Sequence, residues 1–268
     1  MRSVSAWVIT FGIVAALSTA ACGGDKPSSS ETATATSAPA AAQKVDPATA
    51  GEVKGSITVD GAVPANAPIK MNADPICARN ASGNETQETY MVGADGKSLG
   101  NVFVYVKDGL NGLTFDPPTQ PIVIDQKSCR YHPHVFGIQV GQPLEILNSD
   151  PTLHNIHALA KNNREFNNGQ PLQNMKTTHT FTTPEVMVPF KCDVHGWMNA
   201  YVGVLNHPYF SVSDAAGAFS LKSLPPGTYT IEAWHEKLGA MTETVTIGAK
   251  ETKDVNFVFK TAAGASTN

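Results

Sequence analysis

The chain has 268 residues, of which 41% are hydrophobic, and a formal net charge of -4. This length indicates one or two domains, and the mild charge argues against nucleic-acid binding, which usually requires a strongly basic face. The 22 glycines and 18 prolines separate short apolar runs, a pattern that favours many strands over long helices.

The first 22 residues have the layout of a secretory signal: a positive start, an apolar run at 6–17, then small residues up to Cys22. The run is too short to cross a bilayer as a helix. The junction STAACGG resembles a bacterial lipoprotein cleavage site, which implies a lipidated Cys22 and an exported protein of the cell envelope or periplasm, anchored to the lipid bilayer. Thr19 departs from the aliphatic residue of that pattern. The alternative is ordinary cleavage after Ala20 or Ala21, which would leave a soluble protein.

Residues 23–51 are mostly Ser, Thr, Ala and Pro, without an aromatic residue. They bury too little apolar surface to offset the entropy of ordering, so we predict a disordered linker. A strand-rich domain follows over 52–206, because β-branched and apolar runs alternate with turn signals. The predicted strands are 53–59, 101–106, 121–125, 134–140, 144–147, 178–181, 185–192 and 200–205.

The pattern restarts as a compact unit over 207–262, followed by a tail at 263–268. Its predicted strands are 210–213, 218–221, 230–234, 242–247 and 254–259. The stretch DAAGAFSLKSLPPGTYTIEAWHE resembles the carboxypeptidase regulatory-like domain, which implies a small prealbumin-like β-sandwich and no particular activity. The segment GEVKGSITVDGAVP near the start of the folded region resembles the opening strand of the same kind of module.

One loop carries three possible metal ligands, Cys192, His195 and Met198, directly after a predicted strand. His154 follows another predicted strand about forty residues earlier. Two imidazoles, a thiolate and a weak axial thioether form the ligand set of blue-copper electron transfer. A short loop can wrap one ion while His154 fixes it to the sheet, which limits the change of geometry between Cu(II) and Cu(I). Zinc is chemically possible, but it has no use for Met198.

At these residues the chain resembles the cupredoxins, plastocyanin and amicyanin in particular. The stretch from 120 to 210 is also similar to cupredoxin-like methylamine-utilisation proteins. The resemblance implies an all-β Greek-key sandwich with one type 1 copper ion that transfers single electrons. His154, Cys192 and His195 would bind the ion, and Met198 would be its distant axial ligand.

The resemblance also assigns supporting roles. Asn155 would hydrogen-bond the ligand loop near Asp193. His195 would lie near the surface as the electron port, and an apolar collar would receive a redox partner protein close to it. The collar residues are Trp197, Leu153 and Pro151. The region before residue 120 is an extension beyond the usual small cupredoxin.

The four cysteines can be assigned by elimination. An exported protein meets oxidising conditions, where unpaired thiols need a reason. If Cys22 carries lipid and Cys192 binds metal, Cys77 and Cys129 remain to form a disulfide. Each alternative pairing leaves a thiol without a role.

The remaining histidines are given structural roles. His157 is expected on the opposite or flanking face from Asn155, and His235 falls at a strand end. His132 and His134 flank a proline and could form a second metal site, although histidines around such a turn more often lie at the surface or in the core. No partner is predicted for His179 and His207.

The function that we predict is one-electron transfer by an exported copper protein. We see no nucleophile, general base or open metal position, and therefore predict that the protein is not an enzyme. One rival is a copper-delivery protein with the same ligands, which would release copper to an acceptor. The other is a non-catalytic interaction module with a structural or vacant site, which would show neither a redox couple nor copper release.

Overall fold

The computed structural model describes residues 45–110 and 112–261. Within these ranges the chain forms nineteen strands and one six-residue helix, so the predicted all-β class is confirmed. The predicted signal and tail, the first part of the linker, and Cys22 lie outside the described residues. The elements are β1 (Gly51–Asp60), α1 (Pro75–Asn80), β2 (Met91–Val92), β3 (Leu99–Gly100), β4 (Phe103–Asp108), β5 (Ile122–Lys127), β6 (Arg130–His132), β7 (Val135–Gln139), β8 (Pro143–Asn148), β9 (His154–Ala158), β10 (Phe166–Gln170), β11 (Met175–Thr180), β12 (Glu185–Lys191), β13 (Asn199–Leu205), β14 (Phe210–Val212), β15 (Ala218–Leu224), β16 (Gly227–His235), β17 (Gly239–Ile247), β18 (Thr252–Asp254) and β19 (Phe257–Lys260).

Strands β5 to β13 form two sheets around one core, which we call the central sandwich. The first sheet has the order β10-β9-β12-β13-β7 and the second the order β11-β8-β5-β6. In β8, Leu144 and Ile146 are buried while their neighbours are partly exposed, as period-two alternation requires for a strand with one face on a core. The core also holds Phe136, Phe181 and Phe190.

A second pair of sheets forms the flanking sandwich. One sheet has the order β15-β1-β18, with β19 also paired to β1, and the other has the order β14-β4-β16-β17. Strand β1 contributes Val53 and Ile57 to a core that also contains Val104, Ile231 and Phe257. The flanking sandwich is therefore built from strands at both ends of the described chain.

This pairing differs from the predicted division at residue 206. The prediction assigned β1 and β4 to the first domain, but β1 lies between β15 and β18, and β4 lies between β14 and β16. Without β1, strands β15 and β18 would have no common neighbour to complete their backbone hydrogen bonds. The strands after residue 207 thus form their sheets only together with the N-terminal extension.

Phe103 joins the two sandwiches. It belongs to a buried cluster with Val135, Met187 and Leu205 of the central sandwich. A Cβ atom built at Gly203 would lie 2.3 Å from the Phe103 ring. Only glycine leaves room for the aromatic ring of β4 to lie directly on the sheet at this point.

Residues 61–90 between β1 and β2 form what we call the cap segment. Its helix α1 begins at Asp74, whose carboxylate accepts hydrogen bonds from the backbone N–H groups of Ile76 and Cys77, an N-cap arrangement with proline at the first helical position. A disulfide joins Cys77 to Cys129 of the β5–β6 turn. The cap segment is thereby fastened to the end of the central sandwich where the ligand loop lies.

No helix in the described ranges is long and apolar enough to cross a membrane.

Candidate metal centre

The four predicted ligands lie at one end of the first sheet of the central sandwich, where its inner strands begin or end. His154 is the first residue of β9, Cys192 follows β12, and Met198 precedes β13. Strand β12 is antiparallel to both β13 and β9. The loop from 192 to 198 therefore lies at the same end of the sheet as the start of β9. All four side chains are buried, each at most 3% exposed.

Three donor atoms converge in this pocket. The Nδ1 atoms of His154 and His195 are 2.9 Å apart, and the sulfur of Cys192 lies 4.0 Å from Nδ1 of His195. Met198 packs in the same core as Cys192. Its backbone N–H donates to the carbonyl of His195, which closes the loop into a tight turn.

Asn155 links the two loops. Its side-chain oxygen accepts a hydrogen bond from the backbone N–H of Asp193 at 2.6 Å and one from the thiol of Cys192 at 3.2 Å. The backbone N–H of His195 also donates to the Cys192 sulfur, at 3.3 Å. These bonds fix the sulfur relative to β9, and they are of the kind that orients a metal ligand.

The environment favours a thiolate at Cys192. Burial raises the pKa of this thiol, but hydrogen bonds with His154 and His195 outweigh burial and lower the pKa to about 6. Burial lowers the pKa of His154, whereas Asp150 and Cys192 raise it by more, so its net shift is upward. The site thus favours the thiolate of Cys192, which is the form that binds metals.

The structure corrects the predicted exposure of His195. This side chain is buried beneath the cap segment, with its Nε2 atom 3.1 Å from an oxygen of Asp74 and 3.7 Å from the sulfur of Cys77. Trp197 is partly buried as well, and its indole N–H donates to the carbonyl of Cys129. The extension that the sequence placed before residue 120 therefore covers the predicted electron port.

Two carboxylates of the site were not identified from the sequence. Asp150 faces Nε2 of His154 at 2.9 Å, and Asp74 faces Nε2 of His195. Asp150 could have been found from its position four residues before His154. Asp74 lies far from the ligand loop in the sequence. Its only sequence signal is the Asp-Pro pair, which is typical of the start of a helix.

Hydrogen bonds hold Asp74 in its ionised form. Burial raises the pKa of this carboxyl group, but bonds from the Cys77 N–H, the Thr152 hydroxyl and the Ile76 N–H bring it to about 2.

The other histidines have partners of their own. His157 bonds Asp193 at 2.9 Å and Glu165 at 2.6 Å. His134 pairs with Glu236 at 2.7 Å, which leaves it unavailable for the possible second site with His132. The remaining contacts are His132 with the Lys127 carbonyl, His179 stacked on Phe166, His207 with the backbone of Tyr209, and His235 with the N–H groups of Lys237 and Leu238.

Three groups of side chains within the described ranges have metal-ligating atoms close together. Two of them include a sulfur of the Cys77–Cys129 disulfide, which cannot act as a thiolate while the bond is intact. The third consists of His154, Cys192 and His195. It is the group that offers a free thiolate and two imidazole nitrogens to a single ion.

Neither a protein-family model nor a curated protein matches the chain. The resemblance of 207–262 to the carboxypeptidase regulatory-like domain therefore has no support beyond its sequence pattern.

Solved structures do show similarity. A Cu-containing nitrite reductase from Thermus scotoductus SA-01 is 20% identical, with 33% of this chain and 23% of that chain covered and a TM-score of 0.31. An amicyanin variant with Cu(I) is 19% identical, covering 38% of this chain and 97% of its own, with a TM-score of 0.29. A purple cupredoxin from Nitrosopumilus maritimus is 24% identical, covering 31% and 97%, with a TM-score of 0.26.

These three copper or cupredoxin structures match about a third of this chain. The prediction that the protein is not an enzyme is corrected, because one of the similar chains is itself an enzyme, the nitrite reductase.

Proposed function

We propose that the protein binds one type 1 copper ion and transfers single electrons through it. The observation that carries this proposal is the buried convergence of two imidazole Nδ1 atoms and the Cys192 sulfur at the edge of the central sandwich. A thiolate and two imidazoles are the soft and borderline donors that suit copper. When bound, copper would supply a one-electron Cu(II)/Cu(I) couple.

The chain's own residues prepare the site. The Cys192 sulfur is held by its hydrogen bond to the Asn155 side-chain oxygen and by the hydrogen bond that it accepts from the His195 N–H. Burial of all the donors excludes water from the ion. Met198 follows in the same loop, and its thioether would be a fourth, weaker donor to the ion. A site fixed in this way changes little between the two oxidation states, which keeps electron transfer fast.

Copper loading and visible spectroscopy test the proposal. Cu(II)-loaded protein should show an intense thiolate charge-transfer band, and Cys192→Ser should abolish it because oxygen cannot replace the soft sulfur. His154→Ala should weaken binding or admit outside ligands. Met198→Leu should keep the band and raise the reduction potential, since an axial donor favours Cu(II).

His157→Ala is the matched control, because His157 bonds Asp193 beside the site but points no nitrogen at the other donors; its spectrum should resemble that of the unmodified protein. Copper binding without a thiolate band, or much tighter zinc binding, would contradict electron transfer. Transfer of copper to an acceptor protein would favour delivery instead.

We also propose that the protein is exported and tethered to a membrane through a lipidated Cys22. The support is the small-residue junction before this cysteine and the polar linker after it. Fractionation of cells expressing the protein or a Cys22→Ser variant tests it. The unmodified protein should stay with the membranes and the variant should be released; equal solubility of both would reject the anchor.

Since the cap segment covers His195 and Trp197 is partly buried, a redox partner is proposed to dock beside these two residues, over exposed apolar side chains of the neighbouring loops. Leu153 and Val194 support this position, because each is adjacent in sequence to a ligand histidine and is 43% and 49% exposed, respectively. Replacing both with serine should slow electron exchange with the partner and leave the copper spectrum unchanged.

A further inference from the structure

Both ligand histidines direct their far nitrogen at a carboxylate. Nε2 of His154 lies 2.9 Å from Asp150, and Nε2 of His195 lies 3.1 Å from Asp74. In each ring the other nitrogen, Nδ1, faces the pocket where the donors converge. The arrangement is the same on both sides of the site, although the two carboxylates come from different parts of the fold.

The disulfide holds both carboxylates in place. The backbone N–H of Cys77 donates to Asp74 at 3.1 Å, and the backbone N–H of Cys129 donates to Asp150 at 2.7 Å. Asp74 accepts a further bond from the Thr152 hydroxyl at 2.9 Å. Each half of the disulfide thus supports the carboxylate that faces one of the histidines.

A carboxylate beside one ring nitrogen decides which nitrogen of the imidazole carries the proton. A metal on Nδ1 leaves the ring proton on Nε2, where it can be donated to a carboxylate. This bond fixes the tautomer and the ring orientation, and it makes the imidazole a stronger donor. A stronger donor, with a negative charge behind it, stabilises Cu(II) more than Cu(I).

From these contacts we infer that Asp74 and Asp150 are positioning residues that orient His195 and His154 toward copper and lower the reduction potential of the site. The inference rests on the proposed function and deepens it. The cap segment, which the sequence marked only as an extension, supplies half of this support through Asp74.

The first test is Asp74→Asn, measured as the reduction potential of the copper-loaded full chain. Asparagine is as good an N-cap as aspartate, so α1 should persist while the charge behind His195 is lost. The potential should shift upward, with the thiolate band retained. Asp150→Asn should shift the potential in the same direction through His154.

Asp95→Asn is the matched control. Asp95 lies in the turn between β2 and β3, where it bonds the N–H groups of Lys97 and Ser98, and it has no contact with a ligand histidine. This variant removes the same charge from the chain, and its potential should remain close to that of the unmodified protein.

Nuclear magnetic resonance of the unmodified Cu(I) protein gives a second measurement that needs no variant to fold. The two Nε2–H protons should appear as strongly downfield, slowly exchanging signals. Asp74→Asn should remove or shift the signal of His195 and leave that of His154.

Unchanged potentials in both Asp74→Asn and Asp150→Asn, or the absence of both downfield signals, would overturn the inference while the thiolate band still supports the proposed function. Absence of the band in the unmodified protein would overturn both.

Discussion

The Cys77–Cys129 disulfide offers the sharpest test of how the cap segment is held. Both cysteines are fully buried and pack against Met71 and Trp197. The bond closes a loop across a sequence separation of 52 residues, which corresponds to about 4 kcal/mol of lost unfolded-state entropy at 25 °C. Replacing both cysteines with alanine should therefore lower the free energy of unfolding by about that amount.

Equilibrium unfolding of the metal-free protein in urea measures this change. With a denaturant dependence of about 2 to 3 kcal/mol per molar, the midpoint should fall by roughly 1 to 2 M. Unmodified protein in the presence of a dithiol reductant should match the double variant, which controls for the alanine side chains. A loss below about 1 kcal/mol in both samples would refute the entropic reasoning.

Three further predictions concern the site and its support. In metal-free protein the Cys192 thiol should titrate near pH 6 when followed at 240 nm, and His154→Ala should move the midpoint upward; a midpoint near 9 would contradict the hydrogen-bonded thiolate. Because the folded pKa is the lower one, this group's contribution to stability should be full above the unfolded pKa of about 9 and lost as the pH falls through about 6. Gly203→Ala should cost about 1 to 3 kcal/mol in urea unfolding through overlap with Phe103, and an unchanged midpoint would show that the ring moves freely. Glu185→Ala should speed amide exchange at residues 161–163, whose N–H groups bond this carboxylate, whereas unaltered exchange there would mean that water replaces it.

Several features of the molecule could be derived from local patterns. Alternating apolar residues predicted β8, and the spacing of Cys192, His195 and Met198 after a strand predicted a shared ligand loop. The assignment of Cys77 to Cys129 followed from the roles of the other two cysteines. Strand β9 was not predicted, because three of the five residues of its sequence HNIHA are polar and only Ile156 is a large apolar residue.

The sequence by itself determined the strand-rich class and the chemistry of the four donors, because periodicity and residue type are local properties of the chain. Only the tertiary structure decided that β1 pairs with β15, β18 and β19 across more than 150 residues, since alternation tells which face of a strand is buried and not which strand lies beside it. The same limit applies to His195. Its burial and its carboxylate partner depend on where the cap segment folds back, and Asp74 reaches Nε2 from 121 residues away through a position that the fold and the disulfide set together.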